Sequence, residues 1–233
     1  EALDVAYQLF EKVNLDIMFA LPNQTFEQLQ SDVQIALSYQ PTHLSYYHLT
    51  LEPNTYFHRY PPILPDDEVA LDMQEYIESA LSDAGLRHYE VSAYARAGHE
   101  SIHNTNYWQF GDYIGIGAGA HGKISMHNRI VRQARYKSPQ MYLSKIASGS
   151  AIEIENDLTT DELPFEFMLN ALRLRNGAKL SEFMAATGLT VVDLEPALSE
   201  ARAKGLMDAS PEVLRTTDLG WRFLSDVQTM FLK

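Results

Sequence analysis

The side chains best suited to binding a ligand lie between positions 103 and 125, which read HNTNYWQFGDYIGIGAGAHGKIS. The first part supplies imidazole, amide, phenol and indole groups, and the second part supplies five of the chain's 12 glycines. Polar groups on flat or compact frames orient a ligand, and glycines let the backbone turn tightly and approach it closely. This stretch therefore predicts a binding site in which polar aromatic residues lie beside a glycine-rich turn.

The glycine-rich turn resembles a dinucleotide-binding motif in spacing alone. Gly117, Gly119 and Gly122 match the pattern G-x-G-x-x-G. That motif requires a helix directly after the glycines and an acid about 20 residues further on. Residues 123–131 instead alternate like a strand, and no Asp or Glu occurs from Tyr113 through Ile152. The sequence therefore disfavours a Rossmann site.

The acid-free window at 113–152 concentrates positive charge in an acidic chain. The whole chain has 18 Lys plus Arg against 31 Asp plus Glu, a formal net charge of −13. A local basic cluster favours an anionic ligand, whereas the alternative is a solvated basic surface, which is what most charge runs are. Both interpretations stand. The cations of the window are Lys123, Arg129, Arg132, Arg135, Lys137 and Lys145.

Composition argues against several classes of protein. The chain has 233 residues, is 45% hydrophobic and has a pI near 5.0. An acidic chain is repelled by nucleic acids and by anionic membranes, and no apolar run approaches the roughly 18 residues of a membrane span. Without cysteine, these residues hold neither a disulfide nor a cysteine-bound iron–sulfur cluster. We expect a cytoplasmic protein without a leader or a membrane span.

Two β–α units begin the chain. Residues 14–21 and 43–51 are mostly apolar runs, and Thr25 caps a helix to about Ser38 between them. A helix between two strands is a crossover, which predicts a parallel sheet. A proline-rich loop at 52–65, a helix capped by Asp66 and a third strand at 88–94 follow. The polar residues within the first two strands are Asp16, Ser45, His48 and Thr50.

The middle of the chain predicts two strands and a helix before a domain boundary. Residues 113–116 and 123–131 have strand patterns, and Ser138-Pro139 opens a helix to about residue 148. Gly149-Ser150 then marks the boundary. We expect domains at 1–150 and 151–233.

The second domain has the pattern of a small winged-helix-like α domain. After a first helix ended by Gly177, the helices at 181–187 and 190–204 flank Gly188, and residues 206–207 and 213–214 have the pattern of wing strands. The helix at 190–204 carries more acids than bases and is a poor surface for a phosphate backbone. The sequence favours a structural or protein-contact role over nucleic-acid binding.

Five segments carry a distinctive set of motifs. They are NLDIMFALPNQT at 14–25, LSYYHLTLEPNT at 44–55, YEVSAYA at 89–95, HNTNYW at 103–108 and GDYIGIGAGAHG at 111–122. Together they resemble the HemW-type radical SAM haem chaperones, relatives of oxygen-independent coproporphyrinogen III oxidase, over nearly the whole chain. The H-N-x-x-Y-W element favours the chaperone branch. The resemblance implies an α/β fold: the carboxy-terminal part of a partial (β/α) radical SAM barrel, followed by the winged-helix-like domain.

The resemblance also implies cofactors. In that family an amino-terminal C-x-x-x-C-x-x-C loop holds a 4Fe-4S cluster and S-adenosylmethionine. Because this chain has no cysteine, the cluster ligands are absent from it, and we expect the first barrel strands to be missing as well. Haem is the third implied ligand, and a haem-acceptor protein is the implied partner.

Two residues of the strands match the part of the family that contacts S-adenosylmethionine. Asp16 corresponds to an acid at a strand end, where a carboxylate accepts hydrogen bonds from ribose hydroxyl groups. A capping or buried paired acid is the alternative. Thr50, at the next strand end, is a weaker candidate for the same ligand.

The haem candidates lie in the stretch at 103–125. His103 belongs to the H-N-x-x-Y-W element, which resembles the segment tied to haem binding, together with Asn104, Tyr107 and Trp108. Neutral imidazole is the commonest protein ligand of haem iron, and a structural histidine is the alternative. Tyr107 and Trp108 are predicted either to stack on a porphyrin or to be core aromatic residues. His121 is expected to face either ligand, and the basic window is expected to pair with haem propionates.

Three functions compete at this point. The first is haem binding and transfer by a radical SAM relative. The second is the coproporphyrinogen III oxidase reaction of porphyrin biosynthesis, which requires the absent cluster. The third, from a different class, is a winged-helix binding module on an inactive barrel remnant.

Overall fold

The computed structural model describes residues 1–232, which form two compact units. The first unit is Glu1–Ser101 and the second begins at Ile102. The domain boundary expected near residue 150 falls inside the second unit, and it stays a prediction.

The first unit is built on a four-stranded sheet. Its elements are α1 (Ala2–Leu9), β1 (Asn14–Phe19), α2 (Phe26–Ser38), β2 (His43–His48), α3 (Tyr56–Arg59), α4 (Asp67–Asp83), β3 (Arg87–Glu90) and β4 (Ala93–Ala95). The strand order is β1-β2-β4-β3. β1 and β2 are parallel, with Asn14 opposite His43 and Phe19 opposite His48, so the predicted β–α–β unit is confirmed.

Side-chain caps begin α2 and α4 where the sequence predicts them. The Thr25 hydroxyl accepts the Gln28 N–H at 3.3 Å, and the Gln28 side chain accepts the Thr25 N–H at 2.9 Å. The Asp66 carboxylate accepts the Val69 N–H at 2.9 Å. Each cap satisfies N–H groups that have no partner inside the helix, which fixes where α2 and α4 start.

The predicted third strand is wrong, because residues 87–95 form a hairpin. β3 and β4 pair antiparallel, and β4 is also antiparallel to β2. The turn between them, Val91-Ser92, contains no Gly, Asn, Asp or Pro, and a single Ser is only a weak turn signal. The sheet is therefore mixed rather than parallel.

The sheet of the first unit has one apolar and one polar face. Leu15, Phe19 and Leu44 belong to a buried core with residues of α2 and α4, among them Leu29, Val33, Met73, Ile77 and Leu81. Successive side chains of a strand point to opposite faces. The alternate residues Asn14, Asp16, His43 and Ser45 therefore share the face opposite this core.

The second unit combines a three-stranded antiparallel sheet, in the order β5-β6-β7, with a helical module. Ser138 caps α6 through the Met141 N–H, as predicted. The elements are α5 (Ile102–Trp108), β5 (His121–Ser125), β6 (Ile130–Arg135), α6 (Pro139–Ala147), β7 (Ile152–Asp157), α7 (Leu163–Ala171), β8 (Ala178–Lys179), α8 (Leu180–Thr187), a 3-10 helix (Val191–Leu194), α9 (Ala197–Ala203), β9 (Val213–Leu214), α10 (Asp218–Arg222) and α11 (Leu224–Thr229).

Two strand predictions in the second unit need correction. Residues 123–131 are not one strand, because the chain turns between Met126 and Arg129 and β5 pairs antiparallel with β6. Of residues 113–116, Tyr113 forms a bridge with Lys123, and Ile114 to Ile116 lie outside the strands. As expected, β5 rather than a helix follows the glycine-rich turn.

The helical module broadly follows the predicted winged-helix pattern. Phe167, Phe183, Leu198 and Leu214 are buried in its core, and Gly188 ends α8 with φ of 73°. The predicted wing pairing is shifted: Met207 pairs with Thr216, and β9 pairs with β8. The predicted helix at 190–204 is split before Pro196, because proline disfavours a helical conformation in the preceding residue.

Candidate functional site

The polar face of the first unit carries a continuous hydrogen-bonded network. His43 Nδ1 lies 2.6 Å from Asn14 Oδ1, and His43 Nε2 lies 2.8 Å from the Tyr89 hydroxyl. Asn14 Nδ2 donates to Asp16 Oδ1 at 2.7 Å. The Ser101 N–H donates to the Tyr89 oxygen at 3.1 Å. We call these four side chains, Asn14, Asp16, His43 and Tyr89, the Asp16 network.

Burial keeps the inner members of the Asp16 network uncharged. His43 is 7% exposed, and burial lowers its pKa, although the Asp16 and Glu100 carboxylates partly oppose this. Burial also raises the pKa of Tyr89 to about 12. Asp16, in contrast, is exposed. The network therefore runs from a buried imidazole and a partly buried phenol, both neutral, through the exposed Asn14 amide to the exposed Asp16 carboxylate.

The structure separates the two candidates for S-adenosylmethionine. Asp16 is the third residue of β1, opposite Ser45, and does not lie at the strand's carboxyl end as predicted. Thr50 lies two residues beyond β2, where its hydroxyl donates to Glu52 Oε1 at 3.1 Å. The two side chains therefore lie at different heights along the parallel strand pair. The sequence prediction placed Asp16 at the carboxyl end of β1, but that strand continues to Phe19.

The helix α5 brings two of the haem candidates together. Residues four apart in a helix are neighbours, and the His103 and Tyr107 rings meet edge to face with centroids 4.7 Å apart. Tyr107 packs on Tyr113 at 4.2 Å. His103 is exposed, whereas Tyr107 is partly buried. The His103 imidazole is therefore accessible to a ligand, and it packs against the Tyr107 ring, which is held in turn by Tyr113.

An ion pair anchors this aromatic stack. Arg132 Nη1 donates to the Tyr113 hydroxyl at 2.6 Å, and Arg132 also forms an ion pair with Glu166 of α7. Both charged side chains are about three-quarters buried, with exposures of 27% and 21%. The stack His103–Tyr107–Tyr113 is thus tied to β6 and α7. Sequence reasoning missed these contacts, since Tyr113, Arg132 and Glu166 are distant along the chain.

Trp108 and Asn104 lie in different surroundings. The Arg173 guanidinium lies 4.2 Å from the centre of the Trp108 ring, so that one ring face is already covered. The Trp108 Nε1 is buried and has no hydrogen-bond partner within residues 1–232. Asn104 is partly buried on α5. Trp108 therefore fits the core-aromatic alternative better than stacking on a porphyrin.

The glycines bring backbone segments together near His121. His121 is exposed at the start of β5. A Cβ on Gly115 would lie 2.2 Å from the His121 carbonyl oxygen, and one on Gly122 would lie 3.2 Å from the Gly115 nitrogen. At these two positions the missing side chain allows close packing of backbone against backbone, and the predicted approach of the glycines to a ligand stays a prediction.

The acids next to the basic window neutralise half of its cations. The Lys123 ammonium donates to Phe110 O at 2.8 Å and to Asp112 Oδ1 at 3.0 Å. Arg129 pairs with Asp157 at 3.3 Å, and Arg132 pairs with Glu166. Asp112, Asp157 and Glu166 all lie outside the window in sequence. Lys123, Arg129 and Arg132 therefore already have carboxylate partners, and the choice between an anion site and a solvated basic surface concerns the other three cations.

Within residues 1–232, no helix has the length and apolar character needed to cross a membrane. In the same range, no three His, Asp or Glu side chains are grouped as metal ligands.

Known proteins are similar to this chain in sequence. The family model for the HemN C-terminal domain matches residues 158–223. The heme chaperone HemW of Escherichia coli (strain K12) is 41% identical over 220 residues, covering 94% of this chain and 57% of that protein. HemW of Haemophilus influenzae is 39% identical over 94% of this chain and 56% of that protein, and HemW of Bacillus subtilis (strain 168) is 34% identical over 96% and 59%.

A solved structure agrees in fold. Coproporphyrinogen III oxidase (HemN) from Escherichia coli, described as a radical SAM enzyme, matches 98% of this chain and 57% of its own, with a TM-score of 0.79 and 18% identity. At that identity the match shows the fold alone, and it confirms the predicted α/β class. The chain spans a little over half the length of the curated relatives named above. The sequence of the chain is therefore similar to those of the HemW heme chaperones along nearly all of its residues, and residues 158–223 match the HemN C-terminal domain.

Proposed function

We propose that this chain forms the haem-binding part of a HemW-type haem chaperone, which holds haem through His103 and passes it to an acceptor protein. The observation that carries the proposal is the exposed imidazole of His103 against the anchored Tyr107–Tyr113 stack. Imidazole binds haem iron, and aromatic rings beside it offer contacts to a flat apolar macrocycle. The names of the curated relatives support the same function.

The remaining charge of the basic window suits the propionates of haem. Arg135, Lys137 and Lys145 form no ion pair with any side chain among residues 1–232. They remain as the cations of the basic window that an anionic group can approach. Arg135 donates through Nε to Gly115 O at 3.1 Å, which holds its guanidinium at the glycine-rich turn. His121, exposed at the same turn, is a second imidazole for the ligand.

S-adenosylmethionine fits the Asp16 network, whereas the 4Fe-4S cluster fits no residue of this chain. Asp16 presents an exposed carboxylate held by Asn14, which suits hydroxyl groups of a ribose, and Thr50 is the weaker contact. The cluster requires thiolates, and the chain has no cysteine. We therefore derive no oxidase step from these residues. The cytoplasmic location predicted from composition stays a prediction.

Haem titration of the 233-residue chain, followed by the Soret absorbance, tests the proposal. The wild-type chain is expected to shift the Soret band of free haem. His103→Ala is expected to weaken binding by about tenfold or more, since even the loss of a group that only supports a metal ligand typically costs about 10- to 100-fold. His127→Ala is the matched control, because His127 is also an exposed histidine of the second unit. Equal affinity of the wild-type chain and His103→Ala would overturn the assignment of His103.

A further inference from the structure

The Asp16 network has a defined direction. An amide oxygen only accepts hydrogen bonds, so His43 Nδ1 must be the donor in its 2.6 Å contact with Asn14 Oδ1. The uncharged imidazole then has no hydrogen on Nε2, which accepts from the Tyr89 hydroxyl at 2.8 Å. The Tyr89 oxygen in turn accepts the Ser101 N–H at 3.1 Å. Each bond determines the direction of the next.

The far end of the network fixes the orientation of the Asn14 amide. Asn14 Nδ2 donates to Asp16 Oδ1 at 2.7 Å. A flipped amide would place Oδ1 against the carboxylate, where two acceptors repel each other. Since amide orientations are normally inferred from such patterns, the contact with the carboxylate supports this orientation. A backbone N–H at Ser101 is thereby linked to the carboxylate of Asp16.

Exposure rises along this linkage toward Asp16. His43 and Ser45 are 7% and 2% exposed and Tyr89 is partly buried, whereas Asn14 and Asp16 are both exposed. Asp16 Oδ1 is held by Asn14, and Oδ2 has no hydrogen-bond partner among residues 1–232. A paired polar chain that is anchored on a buried histidine and ends on a half-satisfied carboxylate is the arrangement expected of support for a ligand-binding group.

We propose that Asn14, His43 and Tyr89 are positioning residues that hold the Asp16 carboxylate ready to accept the hydroxyl groups of a nucleoside ligand. The proposal rests on the role proposed above for Asp16 toward S-adenosylmethionine. An exposed aspartate samples several rotamers, and ordering it on binding costs affinity. A carboxylate already held through Oδ1 avoids much of that cost.

The first test needs no ligand. In ¹⁵N–¹H NMR spectra of the 233-residue chain, we expect His43 to be the Nδ1–H tautomer and the Asn14 side-chain amide to exchange slowly with water. A predominant Nε2–H tautomer would overturn the proposal. His43→Asn retains an N–H group at the place of Nδ1, whereas His43→Gln places its amide where Nε2 stands. Slow exchange of the Asn14 amide should therefore survive in His43→Asn and be lost in His43→Gln.

The second test measures the affinity for S-adenosylmethionine by calorimetry. Asp16→Asn should remove most of the binding, and Tyr89→Phe and His43→Gln should each weaken it by about three- to tenfold, as expected when a side chain must be ordered on binding. His43→Asn should restore much of the loss. Tyr46→Phe is the matched control, because Tyr46 lies on β2 in the core on the other face and its hydroxyl has no partner within the described chain.

The two tests separate two kinds of failure. If Asp16→Asn binds S-adenosylmethionine as tightly as the wild-type chain, or if the wild-type chain takes up none, the ligand role of Asp16 fails, and the NMR result alone decides whether the network exists. If Asp16→Asn loses binding while Tyr89→Phe and His43→Gln do not, the positioning role fails although the ligand role stands.

Discussion

The ammonium group of Lys123 lies 4.0 Å from the centre of the Phe110 ring and donates a hydrogen bond to the carbonyl oxygen of the same residue at 2.8 Å. The lysine is 1% exposed, and its remaining hydrogen-bond partners are Asp112 and Ser125, each at 3.0 Å. A residue that the sequence offers as part of a basic surface is thus a buried cross-link between β5 and the segment after α5.

Asp112→Ala should destabilise the protein, because it leaves the buried ammonium group of Lys123 without its counter-charge. Asp112 is 46% exposed on its side chain, so we expect a loss of about 2 kcal/mol in the free energy of unfolding, less than for a fully buried pair. Urea denaturation measures it. Asp157→Ala breaks the exposed pair with Arg129 and should cost at most about 0.5 kcal/mol. Equal losses would contradict the buried role of Lys123.

The pair of Asp112 with Lys123 should make the free energy of unfolding depend on pH in the acid range. Burial alone would raise the pKa of Asp112, but hydrogen bonds from Ser125 and Lys123 outweigh it, and the pKa is lowered overall. Because the folded pKa lies below the unfolded value of about 3.9, the stabilisation is fully present above that value and is lost as the pH falls through the folded pKa.

The measurement is the difference in unfolding free energy between the wild-type chain and Asp112→Ala. This difference should shrink between about pH 5 and about pH 2. A difference that stays constant over this range would show that the carboxylate charge does not contribute.

Gly115→Ala should be more destabilising than Gly117→Ala. A Cβ at position 115 would lie 2.2 Å from the His121 carbonyl oxygen, whereas one at position 117 would meet no atom within 4 Å. Gly117 does have a φ of 110°, so its replacement costs only backbone strain, about 1 kcal/mol. The clash at Gly115 should cost about 3 kcal/mol. The urea midpoints of the two variants show which substitution is more destabilising. Equal midpoints would argue against the close backbone approach at Gly115.

Tyr113→Phe and Tyr46→Phe should change stability in different ways. The Tyr113 hydroxyl accepts a hydrogen bond from Arg132 at 2.6 Å, so its loss should cost about 1 to 2 kcal/mol. The buried Tyr46 hydroxyl has no partner within residues 1–232, and burial raises the pKa of this phenol strongly. Its removal relieves a desolvation cost and should be neutral or slightly stabilising. Thermal unfolding of both variants checks the contrast.

Local rules predicted the fold where local interactions determine it. Thr25, Asp66 and Ser138 are correctly predicted as helix caps. Each accepts a backbone N–H only three residues further along the chain, so the sequence nearby is enough to identify it. The two hairpins were missed because an alternating pattern is the same in one strand and in two strands with a short turn. Val91-Ser92 contains none of the strong turn residues Gly, Pro, Asn and Asp, and Ser92 alone is a weak signal.

The candidate sites were predicted only in part, because their geometry depends on partners far apart in sequence. Tyr107 follows His103 by four residues, and their contact is a consequence of helical spacing. His43 and Tyr89 are 46 residues apart, and Arg132 and Glu166 are 34 apart. The alternation of Asn14 with Asp16, and of His43 with Ser45, was the one available sign of a shared polar face.

The ion pair of Arg132 with Glu166 bears on how freely this architecture can exchange modules during evolution. The residues matched by the C-terminal domain model, 158–223, include Glu166 and Phe167. The partners of both lie earlier in the chain, since Arg132 pairs with Glu166 and the Phe110 ring packs 5.4 Å from the Phe167 ring. A recombination event that joined residues 158–223 to an unrelated protein would leave the largely buried Glu166 carboxylate without its ion-pair partner. It would also remove the Phe110 ring that packs on Phe167. The module is therefore expected to be inherited together with the β5–β6–β7 sheet that precedes it.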